Sequence, residues 1–212
     1  MGDGASHGRW VHDENIERDF KLGKYEVTFE EYELFVKLMG TGIVKDQGWG
    51  RGHRPAINVS WDDAKSYAQW LSEETKKPYR LPTDSEWEYA ARSRGTDEVW
   101  AGTSDEDQLR TYAVYRTSRT APVGSKKPNR LGLYDMSGNV WEWVEDCWPE
   151  DYQGRWRDRA VWLEGMGVDC TRRVIRGGSW DGPGSVRSTN RSMDVVASRN
   201  HFVGFRLAQD AP

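Results

Sequence analysis

The chain reads as one α+β domain with its helices first and a loop-rich sheet after them. Three observations predict this. Helix-start signals followed by apolar stripes of helical period fill the first half. In the second half that period fades, and short strand-like pieces alternate with Gly, Pro, Asn and Asp clusters. No internal repeat or low-complexity linker divides residues 1–212, so a single core is expected.

The elements follow in order. Thr28-Phe29-Glu30-Glu31 is a capping box, in which Thr28 accepts from the Glu31 amide and Glu31 reaches back. Behind it Tyr32, Phe35, Val36 and Met39 form one apolar face, and Gly40 ends the helix. Ser60 opens a second helix with Trp61, Ala64, Tyr67, Ala68 and Leu71 inward, ending near Lys77-Pro78. Thr83-Asp84-Ser85-Glu86 is another capping box. Its helix carries Trp87, Ala90 and Ala91 on one face and closes before Gly95. Strands are predicted at 140–144, 174–176 and 202–207. Residues 181–203 show no steady period. The connections 99–130 and 148–172 are long enough to suggest function.

Composition narrows the function classes. Only 36% of the 212 residues are hydrophobic and the mean hydropathy is −0.87, yet 12 Trp, 9 Tyr and 5 Phe supply a core. The net charge is −4 with signs intermixed, and no basic stripe argues for nucleic acid. No apolar run nears the roughly 20 residues of a membrane helix. The polar stretch 2–18 does not read as a signal peptide. Cys147 and Cys170 fit no zinc spacing; they read equally as two free thiols or as a local disulfide.

The last third carries the functional signal. Arg173-Val174-Ile175-Arg176-Gly177-Gly178-Ser179-Trp180 and Gly204-Phe205-Arg206-Leu207-Ala208 look like fixed ends around irregular sequence, which is how a binding surface is framed. Catalytic patterns are weak. His7, His12, His53 and His201 are scattered, and Ser179 lies outside a G-x-S-x-G elbow. The string Ser137-Gly138-Asn139-Val140-Trp141-Glu142-Trp143 has two readings. One is a turn into an aromatic core strand. The other is a calcium site that uses the hard oxygens of Asn139 and Glu142.

Taken together, several strings resemble the formylglycine-generating enzyme (sulfatase-modifying factor) family. They are Gly23-Lys24-Tyr25-Glu26-Val27-Thr28, Pro55-Ala56-Ile57-Asn58-Val59-Ser60-Trp61, Arg80-Leu81-Pro82-Thr83-Asp84-Ser85-Glu86-Trp87, Gly132-Leu133-Tyr134-Asp135-Met136-Ser137-Gly138-Asn139-Val140-Trp141-Glu142-Trp143, Arg176-Gly177-Gly178-Ser179-Trp180 and Gly204-Phe205-Arg206. The resemblance implies a C-type-lectin-like fold, and it places Met1-Gly2-Asp3 at the family's early turn. The family's enzymes are copper-dependent oxidases with two cysteines after Gly-Gly-Ser, and thiolates are what hold Cu(I). Here no cysteine lies between Trp180 and Pro212. A catalytic role is therefore not expected, and no cofactor is required. An enzyme with altered metal chemistry is the alternative. The family's calcium motif maps onto Gly138, Asn139, Val140 and Glu142. A second site would lose its side-chain oxygen at Tyr112-Ala113-Val114, so one Ca2+ at most is expected.

The tail also resembles the variable region of proteins diversified by retroelements, in which asparagine codons are scrambled at adenines. The cassette would span 173–207. Its fixed positions would be Arg187, Ser188, Asn190, Arg191, Arg199, Gly204, Phe205 and Arg206. Its variable, ligand-binding positions would be Asp181, Gly182, Ser185, Ser192, Asp194, Ser198, Asn200, His201 and Phe202. On this resemblance the arginines hold the cassette through ion pairs, Trp180 and Phe205 anchor its ends in the core, and the partner is a protein ligand.

Overall fold

The computed structural model describes residues 16–148, 170–182 and 184–211. The Met1-Gly2-Asp3 turn and most of the 148–172 connection lie outside the described residues.

Chain order is β1 (Phe20–Leu22), α1 (Phe29–Met39), α2 (Trp61–Thr75), β2 (Tyr79–Arg80), α3 (Asp84–Ala91) and a 3-10 turn (Glu106–Gln108). There follow α4 (Leu109–Tyr112), β3 (Trp141–Cys147), β4 (Arg172–Arg176), β5 (Arg191–Val195), β6 (Val203–Phe205) and β7 (Ala208–Asp210). The α+β domain is C-type-lectin-like and is built on two small sheets. One is antiparallel in the order β1-β7-β2; the other runs β5-β4-β3-β6, with β6 parallel to β3.

The helices start where their caps place them. Thr28, Ser60 and Thr83 each accept from the amide three residues on, and Glu31, Asp63 and Glu86 each return the bond. α1 ends on Gly40 at φ 67, the left-handed cap that glycine adopts without a Cβ clash. Its buried stripe is Phe29, Tyr32, Phe35 and Val36. Met39 was expected inward but is 55% exposed, because it is the last helical residue and lies beyond the packed face. In α2, Trp70 is buried and Leu71 only partly so.

The main core joins α1 and α2 to β3 and β6 through Tyr32, Phe35, Tyr67, Trp143 and Phe205. Tyr67 meets Phe205 at 5.5 Å and 72°, an edge-to-face geometry that aromatic pairs favour. A second cluster packs Trp87, Ala90 and Ala91 of α3 on Val144 and Val174. A third holds the long 99–130 connection through Leu109, Ala113, Tyr115 and Val186.

The sheet differs from expectation at its edge. β5 is a strand inside the stretch read as irregular. It pairs antiparallel with β4 from Arg191↔Arg176 to Val195↔Arg172. Its residues Arg-Ser-Met-Asp-Val are mostly polar and half-exposed, which weakens the period-two signal. The expected 202–207 strand is split. β6 ends at Phe205, and the chain crosses at Arg206 and Leu207 into the other sheet as β7. Cys147 and Cys170 form a disulfide with Cα atoms 4.9 Å apart. Among the described residues, no helix is long and apolar enough to cross a membrane.

Candidate functional site

The cassette begins at a turn that requires glycine. Gly177 and Gly178 have φ of 92 and 75, and a Cβ on Gly178 would lie 2.7 Å from the Ser185 backbone. The turn delivers Trp180 to the surface, where its amide donates to the Asn139 carbonyl at 2.9 Å.

Four rings gather there. Trp180 stacks on Phe202 at 5.2 Å and 19°, and lies 5.9 Å from His201. Trp49 meets Trp180 at 5.2 Å and 82°, and His201 at 5.6 Å. All four are half-buried. Trp180 was expected in the core; it is instead the middle of this surface patch, while Phe205 at the other end is fully buried. The sequence reading missed Trp49. Its signal was a lone Trp in a glycine-rich loop in which Gly48, Gly50 and Gly52 all take positive φ.

The predicted variable positions fall into two groups. Asp181, Gly182, His201 and Phe202 lie next to Trp180 along the chain or in space, and Ser185 lies against Gly178; Asp181 is exposed and its Oδ1 accepts from Ser179 Oγ at 2.5 Å. Ser192 and Asp194 lie on β5, and Ser198 on the turn after it. Asn200 and Asp194 depart from the free-surface expectation. Asn200 Nδ2 donates to Asp194 Oδ2 at 2.6 Å, its Oδ1 accepts from the Phe202 amide, and its carbonyl accepts from the Asn58 amide. These two side chains brace the loop.

The frame arginines end on acids or rings outside the cassette. Arg206 grips Glu142 with bonds of 2.6 and 2.7 Å, both side chains fully buried. Arg199 grips Asp63 with two bonds of 2.8 Å at a more exposed place. Arg191 reaches Asp84 at 2.6 Å, and Arg187 lies 5.6 Å from the Trp100 ring. Ser188 donates its amide to Val99, and Asn190 donates to the Gly184 carbonyl. Paired guanidinium bonds of this kind fix both position and orientation.

Beneath Arg206 lies an excess of buried acid. Burial, then Asp135 and Glu142, raises the Glu26 carboxyl well above its usual range. Asp135 is pushed up to about 6, first by burial, against a hydrogen bond from Gly124 and the attraction of Arg206. Its Oδ1 is buried without a hydrogen-bond partner. Next to the Arg191–Asp84 pair, burial and the Asp84 charge push Asp146 up to about 7.

The expected calcium ligands do not fit a cation. Glu142 accepts from Trp87 Nε1 at 2.7 Å and from Arg206 on both oxygens. Asn139 accepts from the Ala121 amide and donates to Glu26, and the Val140 amide also binds Glu26. Gly138, at φ 86, is required by its approach to the Val114 backbone. Among the described residues no group of three His, Cys, Asp or Glu side chains is placed to hold a metal. Copper does not fit either. The two thiols it needs are absent from the cassette, and Cys147 and Cys170 are bonded to each other.

Comparison with known proteins agrees with this architecture. A formylglycine-generating enzyme from Streptomyces coelicolor is 35% identical over 76% of this chain and 54% of its own length. The chain thus spans about half the length of such curated relatives. Among solved structures, PvdO from Pseudomonas aeruginosa superposes with a TM-score of 0.80 at 33% identity, covering 91% of this chain and 80% of that one. Treponema denticola variable protein 1 does so with a TM-score of 0.72 at 29% identity, covering 91% and 87%. The sulfatase-modifying factor enzyme 1-like domain matches residues 1–211, and the chain belongs to that family.

Proposed function

We propose that this chain is a non-catalytic binding protein whose 173–207 cassette displays a diversified surface to a protein ligand. The observation that carries this reading is the division of labour within the cassette. Arg191, Arg199 and Arg206 are tied to Asp84, Asp63 and Glu142, all upstream, while the rings around Trp180 are only half-buried and Asp181 is exposed. The likeness to a variable protein from Treponema denticola supports it.

The test is a display library randomised at Asp181, Ser185, Ser192, Ser198, His201 and Phe202 and selected against a fixed target such as hen lysozyme. Folded binders with nearly unchanged melting temperatures are expected. Collapse of most members would mean that these side chains are core and would remove the reading. Asp194 and Asn200 are left out because they brace each other.

The enzyme alternative draws on the 35% identity to a formylglycine-generating enzyme. It is tested by incubating the chain with copper and a sulfatase-derived cysteine peptide. Formylglycine in the product would support it, and the missing thiol pair speaks against it.

A further inference from the structure

The loop 116–121 is fastened to the aromatic patch. The Thr117 amide donates to the Trp180 carbonyl at 2.8 Å, and Thr117 Oγ donates to the Arg119 carbonyl at 2.8 Å. Arg54, from the loop that carries Trp49, donates through Nη1 to the Thr120 carbonyl. Arg54 is thus bonded to the backbone of the loop that carries Arg119, and this loop is bonded to Trp180; Arg119, after burial, helps to lower the Arg54 pKa.

Some arginines of the chain are neutralised by acids, while others, such as Arg110 and Arg116 over the Tyr115 ring, are not. Arg51, Arg80, Arg92, Arg130, Arg176 and Arg206 each end on a carboxylate. Arg54 and Arg119 have none among the described residues, and Arg119 is exposed. Asp46 in the Trp49 loop accepts from the Gly48 amide, and Asp181 beside Trp180 accepts from Ser179. Like charges left together at a surface, beside half-buried rings, leave a site complementary to an anion.

We propose that Arg54 and Arg119, with the rings of Trp180 and Phe202, form a docking site for an acidic segment of a protein ligand. A carboxylate sits on the guanidinium pair and an apolar side chain on the rings. Guanidinium forks match carboxylates with two parallel bonds. Trp180 and Phe202 are stacked while Trp49 stands edge-on to Trp180, so the patch is not one flat face of the kind that suits a sugar. The proposal rests on the reading of the cassette as a binding surface and adds the chemistry of its partner.

The test is calorimetric titration of the full chain with an end-blocked Glu-Glu-Phe-Glu-Glu peptide, its Gln-Gln-Phe-Gln-Gln counterpart and a heparin-derived hexasaccharide. The acidic peptide is expected to bind at 50 mM salt, to weaken at 300 mM salt, and to lose about fivefold or more in affinity with Arg119→Gln, an exposed change that spares the fold. Phe202→Ser should weaken it separately. Equal binding of the neutral peptide, no binding of the acidic one, insensitivity to Arg119→Gln, or preference for the hexasaccharide would each overturn the proposal. A library that still yields lysozyme binders while the acidic peptide is rejected would leave the display reading standing and remove this one alone.

Discussion

Asn200 holds Asp194 at 2.6 Å, so two cassette positions that look interchangeable in sequence form one brace in space. Asp194 also accepts from the Val195 amide at 2.8 Å. Asp194→Ala should therefore cost about 1 kcal/mol, whereas Ser192→Ala, two residues away on the same strand, should stay within about 0.5 kcal/mol. Urea unfolding of the two variants checks this. Equal costs would show that the brace contributes nothing.

The same guanidinium–carboxylate geometry should have different worth at different depths. Glu142→Gln leaves the fully buried Arg206 without its charge partner and should cost roughly 3–5 kcal/mol. Asp63→Asn breaks the Arg199 pair, whose guanidinium side is 53% exposed, and should cost under about 1 kcal/mol. Melting temperatures of both variants at low and high salt separate the cases, since only the exposed pair should respond to salt.

The buried acids predict an unusual pH profile. Asp135 has a folded pKa of about 6 against an ordinary value of 3.8, so between those values the folded chain binds more protons than the unfolded one. This contribution is present below about pH 4 and is lost as pH rises through 6; Asp146 extends the loss to about 7. Each unit of difference is worth about 1.4 kcal/mol. Asp135→Asn removes the titrating group, keeps an acceptor for Gly124 and suits the φ of 59. Its stability curve from pH 4 to 8 should be flatter than the parent's. A parent curve that rises over this range would contradict the assignment.

Reduction should loosen the link between β3 and β4. The Cys147–Cys170 bond closes a loop with a sequence separation of 23, and its loss should cost about 3 kcal/mol. Thermal melts with and without a phosphine reductant measure this, and the Cys147→Ala, Cys170→Ala double variant should match the reduced parent.

Much of this was legible in the residues. The caps at Thr28, Ser60 and Thr83 carry their own local chemistry, so the helices begin where the sequence says. The frame arginines were readable as anchors, but their partners were not. Asp84 and Glu88 sit on α3 like ordinary helix-face acids, and only the fold brings Arg176 and Arg191 to them. Glu142 read as a cation ligand because its arginine lies 64 residues away. β5 was hidden because an edge strand with one neighbour tolerates polar residues on both faces. Trp49 joined the patch through a loop that has no periodicity to read.

The acids that receive Arg191, Arg199 and Arg206 stand at positions 84, 63 and 142, all upstream of residue 173. On the proposed reading, a rewritten cassette would inherit its footing from sequence outside it. Descendants that differ throughout 181–202 need no matching substitutions elsewhere in the chain. Alignment of such descendants should show variation without covariation between the displayed side chains and the acids that hold the frame.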